Sequence, residues 1–281
     1  NEKILHYISE NYKYPKDFSS LIYASQLIQA EGVRYGAEHW RRQRGRCMGI
    51  IYWQANDCWP VASWSSIDYF GRWKALHYSA KRFFAPVLVS ACENGASVSL
   101  FLSNESKEDV AGTLRWELID AACNIIIKGS KEVHISSFES KECVALDFAD
   151  ELSSKEQMRS RILSYRFEAD GKDFGRGTVL FVKSKHFEFM DPQIQLKISE
   201  EEDRFIILVT SKAYARFVEL RLKTDDAVFS DNYFDLVSYN PRRIELLKIN
   251  MSKELTYDEL KAQLEVRSLY DTYTHGEEIA N

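Results

Sequence analysis

The residues best suited to chemistry in this chain are a tryptophan and the polar residues that follow it. Trp53 is followed by Gln54, Asn56 and Asp57, directly after a short apolar run. A tryptophan ring offers a flat apolar face that suits the C–H face of a sugar ring, and neighbouring amides and carboxylates suit its hydroxyl groups. The alternative interpretation is that Trp53 packs in a core and that Asn56 and Asp57 form an Asx turn. The residues alone leave both interpretations open.

Other residue types that carry chemistry are scattered in ways that favour structural roles. His39, His77 and His134 are distant in sequence from one another and from the cysteines, so we predict no metal site. Cys47 and Cys58 flank the apolar run and are interpreted as buried small hydrophobic residues. Ser63–Ser66 lacks the Gly-x-Ser-x-Gly nucleophile elbow of serine hydrolases. The sequence also contains no glycine-rich phosphate loop, and we expect no cofactor. Three acidic residues of the first region are assigned to structure: Glu31, Glu38 and Asp68.

The overall composition excludes several classes of protein. The 281 residues contain 37 Lys and Arg against 42 Asp and Glu, and this net charge of −5 argues against a broad nucleic-acid surface. A hydrophobic content of 45% with 28% charged residues is typical of a folded globular protein, and no apolar run is long enough to cross a membrane. Five dispersed cysteines predict no disulfide scaffold, and their odd number slightly favours a reducing, cytoplasmic compartment over export.

The chain changes character after about residue 86, and its first part is predicted to form helix, strand, loop and helix. A helix capped by Asp17 or Ser19 is predicted to bury one face, with residues at helical spacing: Leu21, Ala24, Leu27, Ile28, Ala30, Tyr35 and His39. The apolar run Met48–Trp53 predicts a strand covered on both faces, and Arg72–Phe84 predicts a second helix. This order corresponds to one and a half units of a (β/α)8 barrel. Four arginines at the end of the first helix are predicted to interact with its dipole: Arg41, Arg42, Arg44 and Arg46.

The rest of the chain has the alternating pattern of β-strands. Apolar and polar residues alternate in Val98–Leu102 and in Leu114–Leu118, with turn signals between such runs. A second segment of this kind begins after Pro192, and Phe205–Ser211 repeats the pattern of Val98–Asn104. We therefore predict an α/β plus all-β fold, in which the last helix-strand-helix part of a barrel precedes two immunoglobulin-like β-sandwiches. The predicted domains are residues 1–86, 87–189 and 190–281.

Four segments of the sequence resemble one enzyme family. In Gly49–Tyr78, the run Trp-Gln-Ala-Asn-Asp is followed by Trp-Pro and Ser-Trp, and the segment resembles the last barrel strand of glycoside hydrolase family 2 β-mannosidases. Tyr23–Arg44 is similar to the preceding helix of that family, and Lys81–Val87 to its exit from the barrel. Phe229–Leu236 resembles a recurring segment of its carboxyl-terminal sandwich.

The resemblance implies a retaining exo-hydrolase that releases β-linked mannose from the non-reducing ends of mannosides and manno-oligosaccharides. Such enzymes use two carboxylic residues roughly 5 Å apart, and in this family both precede the matched part. The chain is thus implied to be a carboxyl-terminal piece without catalytic residues, metal or cofactor. Its implied partners are the β-mannoside substrate and the amino-terminal part of the same protein. Trp53 matches the aromatic residue that floors the subsite for the cleaved mannose, and Asn56 and Asp57 are further candidate substrate-binding residues.

Two alternatives and one physical expectation accompany this interpretation. The alternatives are a non-catalytic module that binds glycan or docks between domains, and a related family 2 β-galactosidase or β-glucuronidase. The expectation concerns residues 1 to about 85, because a partial barrel cannot bury its apolar faces by itself. These residues are expected to pack on the sandwiches, to self-associate, or to belong to a larger chain. Ile50–Trp53 in particular has no predicted neighbouring strand.

Overall fold

The computed structural model describes residues 2–275, which fall into two compact units. The first unit contains the described residues up to 30, residues 53–78 and the described residues from 189 onwards. The second unit contains residues 31–52 and 79–188. Each unit includes one β-sandwich together with parts of the first 86 residues, so those residues do pack with the sandwiches, which is one of the three arrangements expected for them.

Five α-helices are present in the described residues, and the two predicted ones are among them. Asp17 is the cap of the long predicted helix, because its Oδ1 accepts a hydrogen bond of 2.7 Å from the Ser20 N–H. The second predicted helix ends at Phe83, shortly before Pro86, where a proline disfavours further helix. The helices are α1 (Glu2–Asn11), α2 (Phe18–Arg42), α3 (Ala75–Phe83), α4 (Lys155–Ser160) and α5 (Tyr257–Gln263).

The predicted buried face of α2 is correct in its first half and wrong in its second. Ala24 and Leu27 are buried as predicted, whereas Tyr35 is 48% exposed. Ala37 and Arg41 are buried in its place. The buried face can include Arg41 because its guanidinium donates hydrogen bonds to main-chain carbonyl groups, which offset the cost of removing it from water.

The sandwich of the second unit consists of two antiparallel sheets. The strand orders are β1-β2-β5 and β4-β3-β6-β7. Alternation places Val98, Leu100, Leu114 and Leu118 in one core between the sheets, as the sequence pattern predicts. The strands are β1 (Val87–Asn94), β2 (Ser97–Asn104), β3 (Val110–Asp120), β4 (Ile125–Ile135), β5 (Ser140–Asp147), β6 (Arg161–Ala169) and β7 (Lys172–Leu180).

The sandwich of the first unit is smaller and is also built from two antiparallel sheets. Their orders are β12-β9-β8 and β11-β10-β13. Phe205, Ile207 and Val209 point into its core, where Leu246 of a neighbouring strand and Leu220 of the other sheet join them. The two predicted sandwiches are thereby confirmed. The strands are β8 (Gln195–Glu200), β9 (Arg204–Thr210), β10 (Ala215–Leu222), β11 (Phe234–Leu236), β12 (Arg242–Leu247) and β13 (Leu264–Arg267).

The predicted strand at Met48–Trp53 does not form in this chain. The backbone of these residues has no strand geometry, and the side chains of Met48 and Ile51 are 68% and 96% exposed. A buried strand needs a hydrogen-bonded neighbour on at least one side, and none of the described strands pairs with this segment. The barrel part of the predicted fold class is therefore not observed as a sheet.

Candidate functional site

The candidate site is the segment of the first unit that runs from Trp53 to Lys74. Trp53 is 73% exposed, and its peptide bond to Gln54 is cis. The carbonyl of Ala55 accepts hydrogen bonds from the N–H groups of Ser66 and Ile67, at 3.1 and 2.8 Å. The backbone next to Trp53 is thus fixed to residues 66–67, while its indole ring faces outwards.

Two further backbone contacts complete this small frame. The N–H of Asp57 donates to the carbonyl of Ile67 at 3.1 Å, and the N–H of Lys74 donates to the carbonyl of Ser66 at 2.9 Å. Three short stretches, residues 54–57, 66–68 and 72–74, therefore lie side by side. Helix α2 also supports the segment, because Gln29 Nε2 donates to the carbonyl of Trp64 at 2.7 Å.

The three predicted substrate-binding residues occupy different environments in this frame. Trp53 and Asn56 are exposed, and the amide of Asn56 donates to the neighbouring carbonyl of Asp57 at 3.2 Å. The side chain of Asp57, in contrast, is only 2% exposed. The Asp57 carboxylate does not form the Asx turn of the alternative interpretation, because its hydrogen-bond partners lie six and eight residues further along the chain.

Asp57 is held by residues that the sequence analysis did not single out. Its Oδ1 accepts from Ser63 Oγ at 2.6 Å, and its Oδ2 accepts from Ser65 Oγ at 2.6 Å. Lys74 Nζ lies 3.4 Å from the same Oδ2 and donates to Ser65 Oγ at 2.8 Å. The two serine hydroxyls, followed by Lys74, keep the pKa of the Asp57 carboxyl below its ordinary value.

A histidine also faces the backbone of this segment. His77 Nδ1 is 3.0 Å from Ser66 Oγ, and this hydroxyl donates to the carbonyl of Ala55 at 2.8 Å. The Ser66 hydroxyl proton is donated to the Ala55 carbonyl, so the Ser66 oxygen accepts the hydrogen bond from His77, whose Nδ1 carries the proton. Burial lowers the pKa of His77, and the ring of Trp73 packs against it at 4.3 Å between centroids. This serine–histidine pair thus supports the backbone and is not a nucleophile with its base.

The acidic residues assigned to structure have partners that agree with that assignment. Glu31 and Glu38 both lie within 4 Å of the guanidinium of Arg34, at 3.7 and 3.1 Å. Asp68 accepts from the N–H of Arg72 at 3.0 Å and closes its own turn. Among residues 2–275, no group of three or more His, Cys, Asp or Glu side chains is arranged to hold a metal ion. Within the same described part, no helix is long and apolar enough to cross a membrane.

The sequence of the chain matches two domain families and a set of curated enzymes. A mannosidase Ig/CBM-like domain matches residues 96–186, and an Ig-fold domain of mannosidases matches residues 189–272. The β-mannosidase of Bos taurus is 28% identical over 302 residues, covering 97% of this chain and 33% of that protein. The β-mannosidase of Mus musculus is 26% identical with the same coverage. The chain therefore spans about a third of the length of the curated relatives it matches.

Solved structures show the same fold. The crystal structure of a β-D-mannosidase from Dictyoglomus thermophilum matches with a TM-score of 0.85 at 24% identity, covering 95% of this chain and 32% of that one. The exo-chitosanase CsxA of Amycolatopsis orientalis matches with a TM-score of 0.70 at 14% identity, covering 94% of this chain and 35% of that one. At such identities the likeness concerns the fold, which these glycosidases share with this chain.

Proposed function

We propose that the parent protein of this chain is an exo-acting, retaining β-mannosidase of glycoside hydrolase family 2, of which the chain covers the carboxyl-terminal part. The match to β-mannosidases over 97% of the chain carries this proposal. The substrate class is terminal, non-reducing β-D-mannose in mannosides and manno-oligosaccharides. Both catalytic carboxylates are assigned to the remaining part of the parent, because in the family that the sequence resembles both precede the matched part.

In the parent, residues 1–86 are proposed to complete a (β/α)8 barrel, followed by sandwich domains at 87–189 and 190–281. The exposure of Met48 and Ile51 supports this arrangement, since neighbouring barrel strands would cover them. The same neighbours would supply the inter-strand hydrogen bonds that residues 48–53 need in order to adopt the predicted strand. The five cysteines are all free thiols, which supports a reducing compartment for the parent.

Trp53 is proposed to form a wall of the subsite for the cleaved mannose, with Asn56 beside it as a hydrogen-bonding group. The ring is exposed while its backbone is fixed, and this combination suits a rigid stacking surface. In the parent enzyme, Trp53→Ala should remove about 2–4 kcal/mol of transition-state stabilisation. That loss corresponds to a decrease in kcat/KM of about 30- to 900-fold.

Two comparisons make this test specific. Trp53→Phe keeps a flat apolar face and should retain much of the activity, whereas Trp40→Ala removes another exposed tryptophan and should change kcat/KM little. Near-normal kcat/KM in Trp53→Ala would contradict the assigned role.

The activity itself is tested with 4-nitrophenyl glycosides. The present chain and a chain extended through the missing barrel are compared on the β-mannoside, β-galactoside and β-glucuronide. We expect hydrolysis only by the extended chain and preferentially of the mannoside. Hydrolysis by the present chain would mean that it contains a catalytic carboxylate pair, and preference for another glycoside would overturn the substrate assignment.

A further inference from the structure

The Asp57 carboxylate is the most completely enclosed charged group of the candidate site. Its side chain is 2% exposed, and that of its cationic neighbour Lys74 is 16% exposed. A carboxylate removed from water to this extent is tolerated only when its oxygens are hydrogen-bonded and its charge is compensated. Ser63 and Ser65 supply the hydrogen bonds, each at 2.6 Å, and Lys74 supplies the opposite charge.

These contacts connect parts of the segment that the backbone alone leaves separate. Ser63 and Ser65 follow Asp57 by six and eight residues, so the carboxylate closes the base of the intervening loop. Lys74 adds the stretch 72–74 to the same point. The main chain of Asp57 is fixed as well, because its N–H donates a hydrogen bond to the carbonyl of Ile67. This hydrogen bond belongs to the same frame that holds the backbone beside Trp53.

We propose that Asp57 is a positioning residue, whose carboxylate fixes the loop 58–65 and the stretch 72–74 against the backbone that carries Trp53. It orients the sugar-binding wall and does not itself contact the sugar. This inference rests on the proposed function of Trp53. The proposal gives different roles to two residues of the same motif: Trp53 faces outwards to the sugar, and Asp57 faces inwards to the loop.

The chemistry of the cluster distinguishes positioning from direct contact. Both oxygens of Asp57 accept short hydrogen bonds from hydroxyl groups inside the chain. A sugar hydroxyl would have to displace Ser63 or Ser65 and open the loop. Asp57→Asn keeps the size of the side chain but replaces one acceptor by an N–H₂ donor, which faces donors already present at Ser63 or at Ser65 and Lys74. The amide therefore forces a serine hydroxyl to turn from donor to acceptor and removes the charge that Lys74 compensates, so it weakens the cluster without creating a cavity.

The decisive test is a double-mutant cycle in the parent enzyme with 4-nitrophenyl β-mannoside as the substrate. Asp57→Asn should lower kcat/KM by about 10- to 100-fold, because misplacement of a substrate-contacting group by about 1 Å has effects of this size. The loss caused by Asp57→Asn should be divided between kcat and KM in the same proportion as the loss caused by Trp53→Ala. In the Trp53→Ala background, Asp57→Asn should change kcat/KM by no more than about twofold, since the group that it positions is gone.

The matched control is Asp68→Asn, which removes a carboxylate that closes a different turn of the same segment. It should leave kcat/KM within about twofold of the unmodified enzyme. Additive losses in Asp57→Asn and Trp53→Ala would overturn the proposal, and so would an undiminished activity of Asp57→Asn. If Asp57→Asn does not fold, as judged by circular dichroism, Ser65→Ala replaces it in the cycle with the same expectations.

A second measurement does not depend on activity. Trypsin cleavage after Lys74 is followed in the present 281-residue chain, where loss of the cluster should free this lysine. Asp57→Asn should increase the cleavage rate at least about fivefold relative to Asp68→Asn, because local opening governs proteolysis. Equal rates would show that Asp57 does not order the segment. If the parent does not hydrolyse the mannoside, the proposed function fails, while the proteolysis still decides whether Asp57 holds the loop.

Discussion

Arg41 in the second unit offers the sharpest test of what stabilises this chain. Its guanidinium is buried and donates from Nη1 to the carbonyls of Phe83 and Ala85, at 2.7 and 2.6 Å. Contacts from Nη2 to Pro86 and Ser103 are longer, at 3.3 and 3.5 Å. The last carbonyls of a helix have no partner within that helix, so Arg41 satisfies groups at the end of α3 that would otherwise be buried without a hydrogen bond.

The expected effect of removing this guanidinium follows from the two short bonds. A hydrogen bond from a charged donor contributes about 1.5–3 kcal/mol, and contacts near 3.5 Å contribute little. Arg41→Met should therefore lower the free energy of unfolding by about 3–4 kcal/mol, counting the short bonds near the lower end of that range. With an m-value of about 2–3 kcal/mol/M, the urea midpoint followed by far-UV circular dichroism should fall by about 1–2 M.

Two variants make the measurement interpretable. Arg46→Met removes an exposed arginine of the same cluster and should change the free energy of unfolding by less than about 0.5 kcal/mol. Arg41→Lys keeps the charge but not the planar fork that reaches two carbonyls, and its midpoint should lie between those of the original chain and Arg41→Met. A shift for Arg41→Met no larger than that for Arg46→Met would refute the reasoning.

Two further predictions concern glycine positions and pH. Gly32→Ala, at an exposed site in α2 where a Cβ meets nothing within 4 Å, should raise the free energy of unfolding by about 0.5–1 kcal/mol. Gly129→Ala should lower the free energy of unfolding by about 1–3 kcal/mol, since its Cβ would collide with the Trp116 ring. Thermal midpoints of the two variants that shift in the same direction would contradict this pair of predictions. Burial lowers the pKa of His77, so the unfolded chain binds more protons than the folded chain near and below about pH 6.5, and stability should fall as the pH is lowered through that value. His77→Gln should reduce that fall in urea midpoints, and an unchanged fall would contradict the assignment.

The arginine cluster shows where local sequence rules stop being informative. Its position at the end of α2 predicts a favourable interaction with the dipole of that helix. The carbonyls that Arg41 actually contacts belong to residues 42 to 62 positions further along the chain. Arg44, in turn, pairs with Glu105. Helix propensity and dipole arguments describe one helix at a time, so they cannot identify partners that only the packing of that helix with other elements provides.

The strands show the same division between local and non-local information. Alternation suffices to predict β2, β3 and β9, because one face of each strand meets its own sandwich core. The apolar run Met48–Trp53 has the composition of a strand but no partner strand among the described residues, and it forms no sheet. Composition thus predicts that a segment can be a strand, while formation depends on a neighbour that supplies hydrogen bonds.

The candidate site was predictable as a segment, although the roles of its residues were not. The run from Trp53 to Asp57 marks the segment, but its two ends differ because partners beyond the run act on only one of them. Asp57 turns inwards because Ser63, Ser65 and Lys74, at separations of 6, 8 and 17 residues, together satisfy its charge. No rule of spacing anticipates such a cluster. Within the described part of the chain, Trp53 has no comparable set of partners and remains 73% exposed, which is the geometry that its proposed sugar-binding role requires.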